Sequence, residues 1–327
     1  MISNPELGKI EGLGEWLQAV PYEVLRHDRL YNAEELYNGY EPSEDEAADK
    51  ESFAACYDSR VYQHFIEQGK DAKDVKESVA RTIHDHGVQT ALKAFLAEHD
   101  PRKCIGIMGG HALLRTDPMF SFVTMLSKRL TEEGFFMVSG GGPGAMEATH
   151  LGAWMAGRTN KETQEAIQML AAAAVSFNDR KWVSSALEVM HRFPQSRYVS
   201  LGIPTWLYGH EPSTPFATHI AKLFTNSIRE DIILTVAYGG IIYTPGSAGT
   251  LQEVFQNAVQ DHYLSFGFAS PMVFLGKKYW SEEVPVYPLM QFLMETGKYK
   301  NLLLTLTDDP KEIEEVLKNF QKTISYE

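Results

Sequence analysis

Short apolar runs alternate with helix-spaced stretches along the last two-thirds of the chain. KCIGIMGG (103–110) and GFFMVSGGG (134–142) each read as a strand entering a glycine turn. Between them, 118–133 has the spacing of a helix, and another helix starts near 144. RYVSLGIP (197–204), GGIIYTPG (239–246), PMVFLG (271–276) and NLLLTLTD (301–308) bring the strands to about six. FATHIAKLFTNSIREDIIL (216–234) carries Ile220, Phe224, Ile228 and Ile232 four residues apart, which predicts a helix with that stripe inward. DPKEIEEVLKNFQ (309–321) supplies a last, capped helix. Strands alternating with helices predict an α/β protein: a Rossmann-like, doubly wound, mainly parallel sheet with flanking helices.

Two regions depart from that rhythm. Residues 1–100 are polar, lack a glycine motif and read as a mainly helical N-terminal extension before a sheet domain at 101–327. Within them, EPSEDEAADKE (41–51) reads as a solvated loop or helix start. DVKESVARTIHDHGVQTALKAFLAEHD (74–100) has helical spacing, with an interruption expected near Gly87. His84 and His86 lie two apart and cannot share a helix face, so they read as surface or packing residues. The second departure is a helical insertion at about 158–195. There KETQEAIQMLAAAAVSFNDRKWVSSALEVMHRF (161–193) predicts one or two helices, with an alanine-rich face packed on a neighbouring element.

Charge narrows the partners. The 327 residues carry a formal net charge of −13, whereas a duplex-binding protein needs a basic surface to displace counterions. A local basic pocket for one phosphate stays compatible with an acidic whole. Cys56 and Cys104 give neither a disulfide scaffold nor metal-ligand spacing, so no metal is expected and a reducing cytoplasm is the default. The start, MISNPELGKIEGLGEW, lacks the pattern of a secretory leader. The longest greasy stretch, IILTVAYGGIIY (232–243), is too short for a bilayer and is broken by Gly239-Gly240, so no membrane partner is expected.

The chemistry concentrates in three glycine turns, each after a predicted strand: Gly109-Gly110, Gly140-Gly141-Gly142-Pro143-Gly144, and Gly246-Ser247-Ala248-Gly249-Thr250. In an open parallel sheet, ligands sit outside the carboxyl ends of the strands. Glycines there let backbone approach a phosphate, and the following helix offers unpaired N–H groups. A dinucleotide site is the main competitor, because Gly140, Gly142 and Ala145 fit G-x-G-x-x-G/A. That turn follows the second strand of the unit, however, and AGRTNKETQEA beyond its helix delivers no acidic residue to a ribose. Pro143 also lacks an N–H. NAD therefore ranks below a lone phosphate ester. TPGSAGTLQEVFQ (244–256) suits a monoester phosphate, although Thr250 to Glu253 equally fits a capping box needing no ligand. A phosphate there would repel Glu253 and leave its carboxylate facing a sugar ring. Arg229 has Thr225, Asn226, Ile232 and Ile233 as helix neighbours and so no intrahelical ion pair; by itself it reads as a surface arginine.

GGGPGAMEATHLGA (140–153) together with PGSAGTLQE (245–253) resembles the LONELY GUY (LOG) family of nucleoside 5′-monophosphate phosphoribohydrolases, whose members are often mislabelled lysine decarboxylases. The resemblance spans roughly 103–320. It implies Arg229 and Glu253 as the catalytic pair, with Gly246, Ser247, Gly249 and Thr250 at the phosphate. It further implies Gly109, Gly110, Gly140, Gly141, Gly142, Gly144, Met146 and Glu147 along the nucleotide, no cofactor, and a homodimer or larger homo-oligomer. Two departures stand out: Ser247 replaces a family glycine, and Arg229 lies one residue further from Pro245 than the family pattern has it. His111, His210 and Glu211 follow strand ends and are further candidates. Nothing marks a pyridoxal lysine with its own phosphate cup. The expected activity is hydrolysis of the N-glycosidic bond of an AMP-like monophosphate. The alternatives are a nucleotide-binding sensor or carrier without hydrolysis and a single-strand DNA-loading protein of related fold, against which the −13 charge argues.

Overall fold

The computed structural model describes residues 10–323. Its strands are β1 Cys104–Met108, β2 Phe136–Ser139, β3 Ser200–Gly202, β4 His219–Ile220, β5 Gly240–Tyr243, β6 Pro271–Leu275 and β7 Leu303–Thr307. They form one sheet in the order β4-β3-β2-β1-β5-β6-β7, and every pairing is parallel. The inner strands β1, β2, β5 and β6 are buried along their whole length, which is why they read as continuous apolar runs. Their side chains alternate between two cores. Ile241, Tyr243, Met272 and Phe274 belong to one, Ile242, Val273 and Leu275 to the other.

The thirteen α-helices among the described residues divide between these faces. Upstream of the sheet run α1 Leu13–Ala19, α2 Ala33–Leu36, α3 Glu46–Ala55, α4 Tyr57–Gln68 and α5 Val75–Leu96. Within it follow α6 Pro118–Glu132, α7 Ala145–Trp154, α8 Asn160–Ala173, α9 Trp182–Arg192, α10 Asn226–Val236, α11 Ala248–Tyr263, α12 Val286–Glu295 and α13 Pro310–Thr323. One core joins Leu36, Val61, Phe65 and Val88 from the N-terminal helices to Met108, Val138, Ile241 and Tyr243 from the sheet. The other packs Phe120, Leu151, Leu170, Val189 and Leu317 on the opposite face.

Several expectations change here. The helix foreseen over 216–234 begins only at Asn226, and His219–Ile220 is a seventh strand. Ile220 and Phe224 are buried, but through a strand and a loop, so their spacing mimics a helical stripe. Tertiary contacts override the local period. Tyr31 pairs backbone with Ile220, and both Asp85 carboxylate oxygens accept N–H bonds from Phe224 and Thr225 at 2.9 Å. Helix α5 runs unbroken through Gly87, where a Cβ would collide with the Arg26 carbonyl; the glycine serves packing, not interruption. His84 is buried against Tyr31 and Asp85, while His86 is exposed. Residues 41–51 lead into α3, capped by Asp45, and the insertion forms two helices, with a capping box at Thr159–Glu162. The opening segment considered as a leader lies largely outside the described residues. Among those described, no helix is long and apolar enough to cross a membrane.

Candidate functional site

The strand order places β1 and β5 side by side, with the later strands running outward from β5 and the earlier ones from β1. This is the switch point at whose carboxyl edge open α/β sheets form their ligand crevice. The glycine turns of β1, β2 and β5 meet there. Gly110 donates its N–H to the Pro245 carbonyl at 3.1 Å, and Ala145, first in α7, donates to the Gly110 carbonyl at 3.2 Å. Gly144 takes φ +69°, and a side chain on it would lie 2.7 Å from the His111 carbonyl oxygen, so only glycine fits. The Tyr279 hydroxyl donates to the Gly246 carbonyl and braces the third turn.

Helix α11 starts at Ala248, with Ser247 as its N-cap residue at φ −111°. That angle is one any L-residue adopts, so the turn accommodates serine. The expected Thr250–Glu253 capping box does not form, because Thr250 already lies inside the helix and no side chain caps it. The first N–H closing a turn is that of Leu251, on Ser247 at 3.0 Å. The N–H groups of Ala248, Gly249 and Thr250 have no partner within the helix, and a Cβ on Gly249 would meet nothing within 4 Å.

Arg229 is not the surface arginine its helix neighbours suggest. Half-buried, it reaches from α10 across the ends of β3 and β2, donating Nε–H to the Ile203 carbonyl at 2.7 Å and Nη2–H to that of Gly140 at 3.4 Å. A Cβ on Gly140 would collide with this guanidinium and lie 2.7 Å from Met146 Sδ. From α11, the half-buried Glu253 carboxyl is pushed up to about 7 by burial, against the pull of Arg229 and with the push of Glu230. Glu230 itself bonds Asn226 at 2.6 Å and Gln252 at 2.5 Å, tying α10 to α11.

The remaining candidates divide into two groups. His111 Nδ1 and His210 Nε2 lie 3.7 and 3.8 Å from Glu211 Oε1, and Glu211 Oε2 is 3.9 Å from where a Cβ on Gly142 would sit. The three thus share the rim of the crevice. Glu147 is instead fully buried: both its oxygens accept from Arg115 Nε, at 3.2 and 3.1 Å, and Trp182 Nε1 donates to Oε2 at 3.2 Å. Among the described residues no cluster of His, Cys, Asp and Glu could hold a metal ion.

Sequence reasoning missed the supports. Arg115 carried no signal beyond being a charge after a glycine turn. His150 lies within the GGGPGAMEATHLGA motif, and burial pushes it down to about 3, so it stays neutral. Its ring links Ser139 at 2.8 Å to Ser200 at 2.9 Å, and Ser139 accepts the Gly141 N–H at 3.1 Å. Asp85 holds the approach to α10 and hence the base from which Arg229 extends.

Comparisons with known proteins give fold-level likeness only. No protein-family model matches this chain, and no curated protein matches it. Among solved structures, the molybdenum cofactor binding protein from the phototrophic bacterium Rippkaea orientalis is 16% identical, with a TM-score of 0.40, over 66% of this chain and 95% of its own. The molybdenum cofactor carrier protein of Chlamydomonas reinhardtii is 16% identical, with a TM-score of 0.41, over 67% and 99%. TM1055, a structural-genomics target, is 15% identical, with a TM-score of 0.43, over 66% and 98%.

Proposed function

We propose that this chain hydrolyses the N-glycosidic bond of a nucleoside 5′-monophosphate, releasing free base and ribose 5-phosphate. The observation that carries the reading is Glu253: a carboxyl raised to about 7, coupled to Arg229, one helical turn inside the amide-lined end of α11. The amides of Ala248, Gly249 and Thr250 would receive the phosphate dianion. As the bond from C1′ to the base nitrogen breaks, its electron pair leaves with the base and positive charge builds on the ribose. Ionised Glu253 stabilises that charge and takes a proton from the water whose oxygen attacks C1′; that proton passes through solvent to the departed base nitrogen, which leaves neutral base and restores the carboxylate. Arg229, fixed by two carbonyls, pulls against the burial of Glu253 and so favours its ionised form. The glycine turns of β1 and β2 lie along the ribose. We further propose a homodimer, for which the exposed Tyr263 and Phe266 near the end of α11 offer apolar surface.

A nucleotide carrier without hydrolysis would use the same turns. Chromatography of free base after incubation with purine and pyrimidine monophosphates separates the two. The wild type is expected to release base, whereas Glu253→Gln keeps nucleotide binding and loses at least about a hundredfold in rate. Equal release by both proteins removes the catalytic role from Glu253. Binding without release by the wild type leaves the carrier reading.

A further inference from the structure

Beside the crevice lies a cavity of about 270 Å³ that neither the glycine turns nor the Arg229–Glu253 pair uses. One wall is α3, through Phe53; the other is the α8–α9 connection, through Phe177 and Asn178, with Trp182 at the start of α9; His210 and Pro212 close it. The walls are clasped together. Arg180 donates to the Ser43 carbonyl at 2.9 Å and the Glu44 carbonyl at 3.2 Å, and Lys181 Nζ meets Glu44 at 2.8 Å. Trp182 is fixed from behind by the buried Glu147–Arg115 pair, with the guanidinium 5.1 Å from its ring.

The cavity adjoins the rim of the crevice through side chains that line both. The His111 ring, one residue beyond the Gly109-Gly110 turn, packs edge-on against Phe177 with centroids 5.8 Å apart. Glu211 links His111 and His210 beside Gly142. An ester held at α11 would therefore have its far end directed past His111 toward Phe177. We propose that this cavity is the nucleobase subsite, built from the N-terminal helices and the insertion together. The proposal rests on the nucleotide reading above.

The lining chemistry suits a neutral heterocycle. Phe53 and Phe177 present part-exposed aromatic rings, which stack on any base, with the buried Trp182 as their backing. Asn178 brings both donor and acceptor, matching the mixed edge of a base, and the His210 ring adds a further polar edge. The charged residues nearly cancel, Lys50 and Arg180 against Glu46, Asp49 and Asp179, so a second phosphate has no counterpart here. This assigns a task to two segments that a bare strand–helix domain would not need.

Calorimetric titration with AMP and with ribose 5-phosphate tests it, in a Glu253→Gln background that halts turnover. Phe177→Leu keeps apolar bulk but removes the π-face, and Phe177→Ala removes both. AMP affinity is expected to fall about tenfold in Phe177→Leu, with ribose 5-phosphate affinity and the circular dichroism spectrum unchanged. Phe177→Ala should fall further in the same direction. Unchanged AMP binding, or equal weakening of both ligands, overturns the subsite and leaves the nucleotide reading standing. Failure of the parent protein to bind either ligand removes the nucleotide reading itself.

Discussion

At the scale of single residues, the site turns on a carboxyl kept near neutrality by burial. Glu253 in the folded chain holds its proton up to about 7, whereas its ordinary value is 4.5. Between those values the native state binds more protons than the unfolded one, so this group's contribution to stability falls as pH rises from 4.5 to 7. Urea midpoints near pH 5 and pH 8 should show the wild type losing stability relative to Glu253→Gln, by on the order of 1–2 kcal/mol once solvent access to a half-buried group is allowed for. A pH-independent difference between the proteins would mean that the carboxyl is not raised. The same ionisation should appear in turnover. In the proposed reaction base release needs the carboxylate, so its rate is expected to climb through pH 7 and not through the ordinary carboxylate range. Glu147 is the contrasting case. Its place in the motif suggested a ligand contact, but Arg115 and Trp182, distant in sequence, claim both of its oxygens.

At the scale of elements, the glycine turns are shaped as much by each other as by any ligand. Gly140 leaves room for the Arg229 guanidinium, and Gly144 lies against the backbone of the first turn. Gly140→Ala must push Arg229 and Met146 aside. It is expected to cost about 1–3 kcal/mol in stability and, because the arginine is displaced, at least about tenfold in base release. A variant with wild-type turnover would separate Arg229 from the chemistry. The strands were legible because buried parallel strands need unbroken apolar runs, and six of the seven stood out. His219–Ile220 was hidden because two residues carry no period. Its neighbours instead offered a false helical stripe, and the start of α10 is fixed by Asp85, which no local pattern connects to Thr225.

At the scale of the whole molecule, the N-terminal helices are packed into the sheet's own core. Buried Lys222, in the segment leading to α10, meets Asp58 of α4 at 2.6 and 2.8 Å, and the same carboxylate accepts Trp206 Nε1 at 2.9 Å. Asp58→Ala would leave a fully buried ammonium with the Ser213 hydroxyl and the Trp206 ring but no counter-charge, and is expected to cost about 3–5 kcal/mol, read as a lowered denaturation midpoint. A change within error would mean that the pair is open in solution. Because Tyr31, Asp58 and Asp85 all grip residues 205–225, removing the first hundred residues should unseat α10 along with exposing one face of the sheet. The boundary near residue 100 is therefore better proposed as a change of sequence texture than as a line along which the chain separates.

The sequence by itself determined the alternation of strand and helix, the three glycine turns and the edge they share, because these follow from short-range periods and from residue types without a Cβ. It also placed Arg229 and Glu253 in the frame, but only through the resemblance of two motifs. The tertiary structure alone decided that Arg229 turns inward onto Gly140 and that Glu253 is raised toward neutrality. It alone decided that Glu147 is spent on a buried ion pair, and that α3 and the α8–α9 connection enclose one cavity. Each of these depends on contacts between residues far apart in the chain, and burial and opposing charge have no period from which a sequence could announce them.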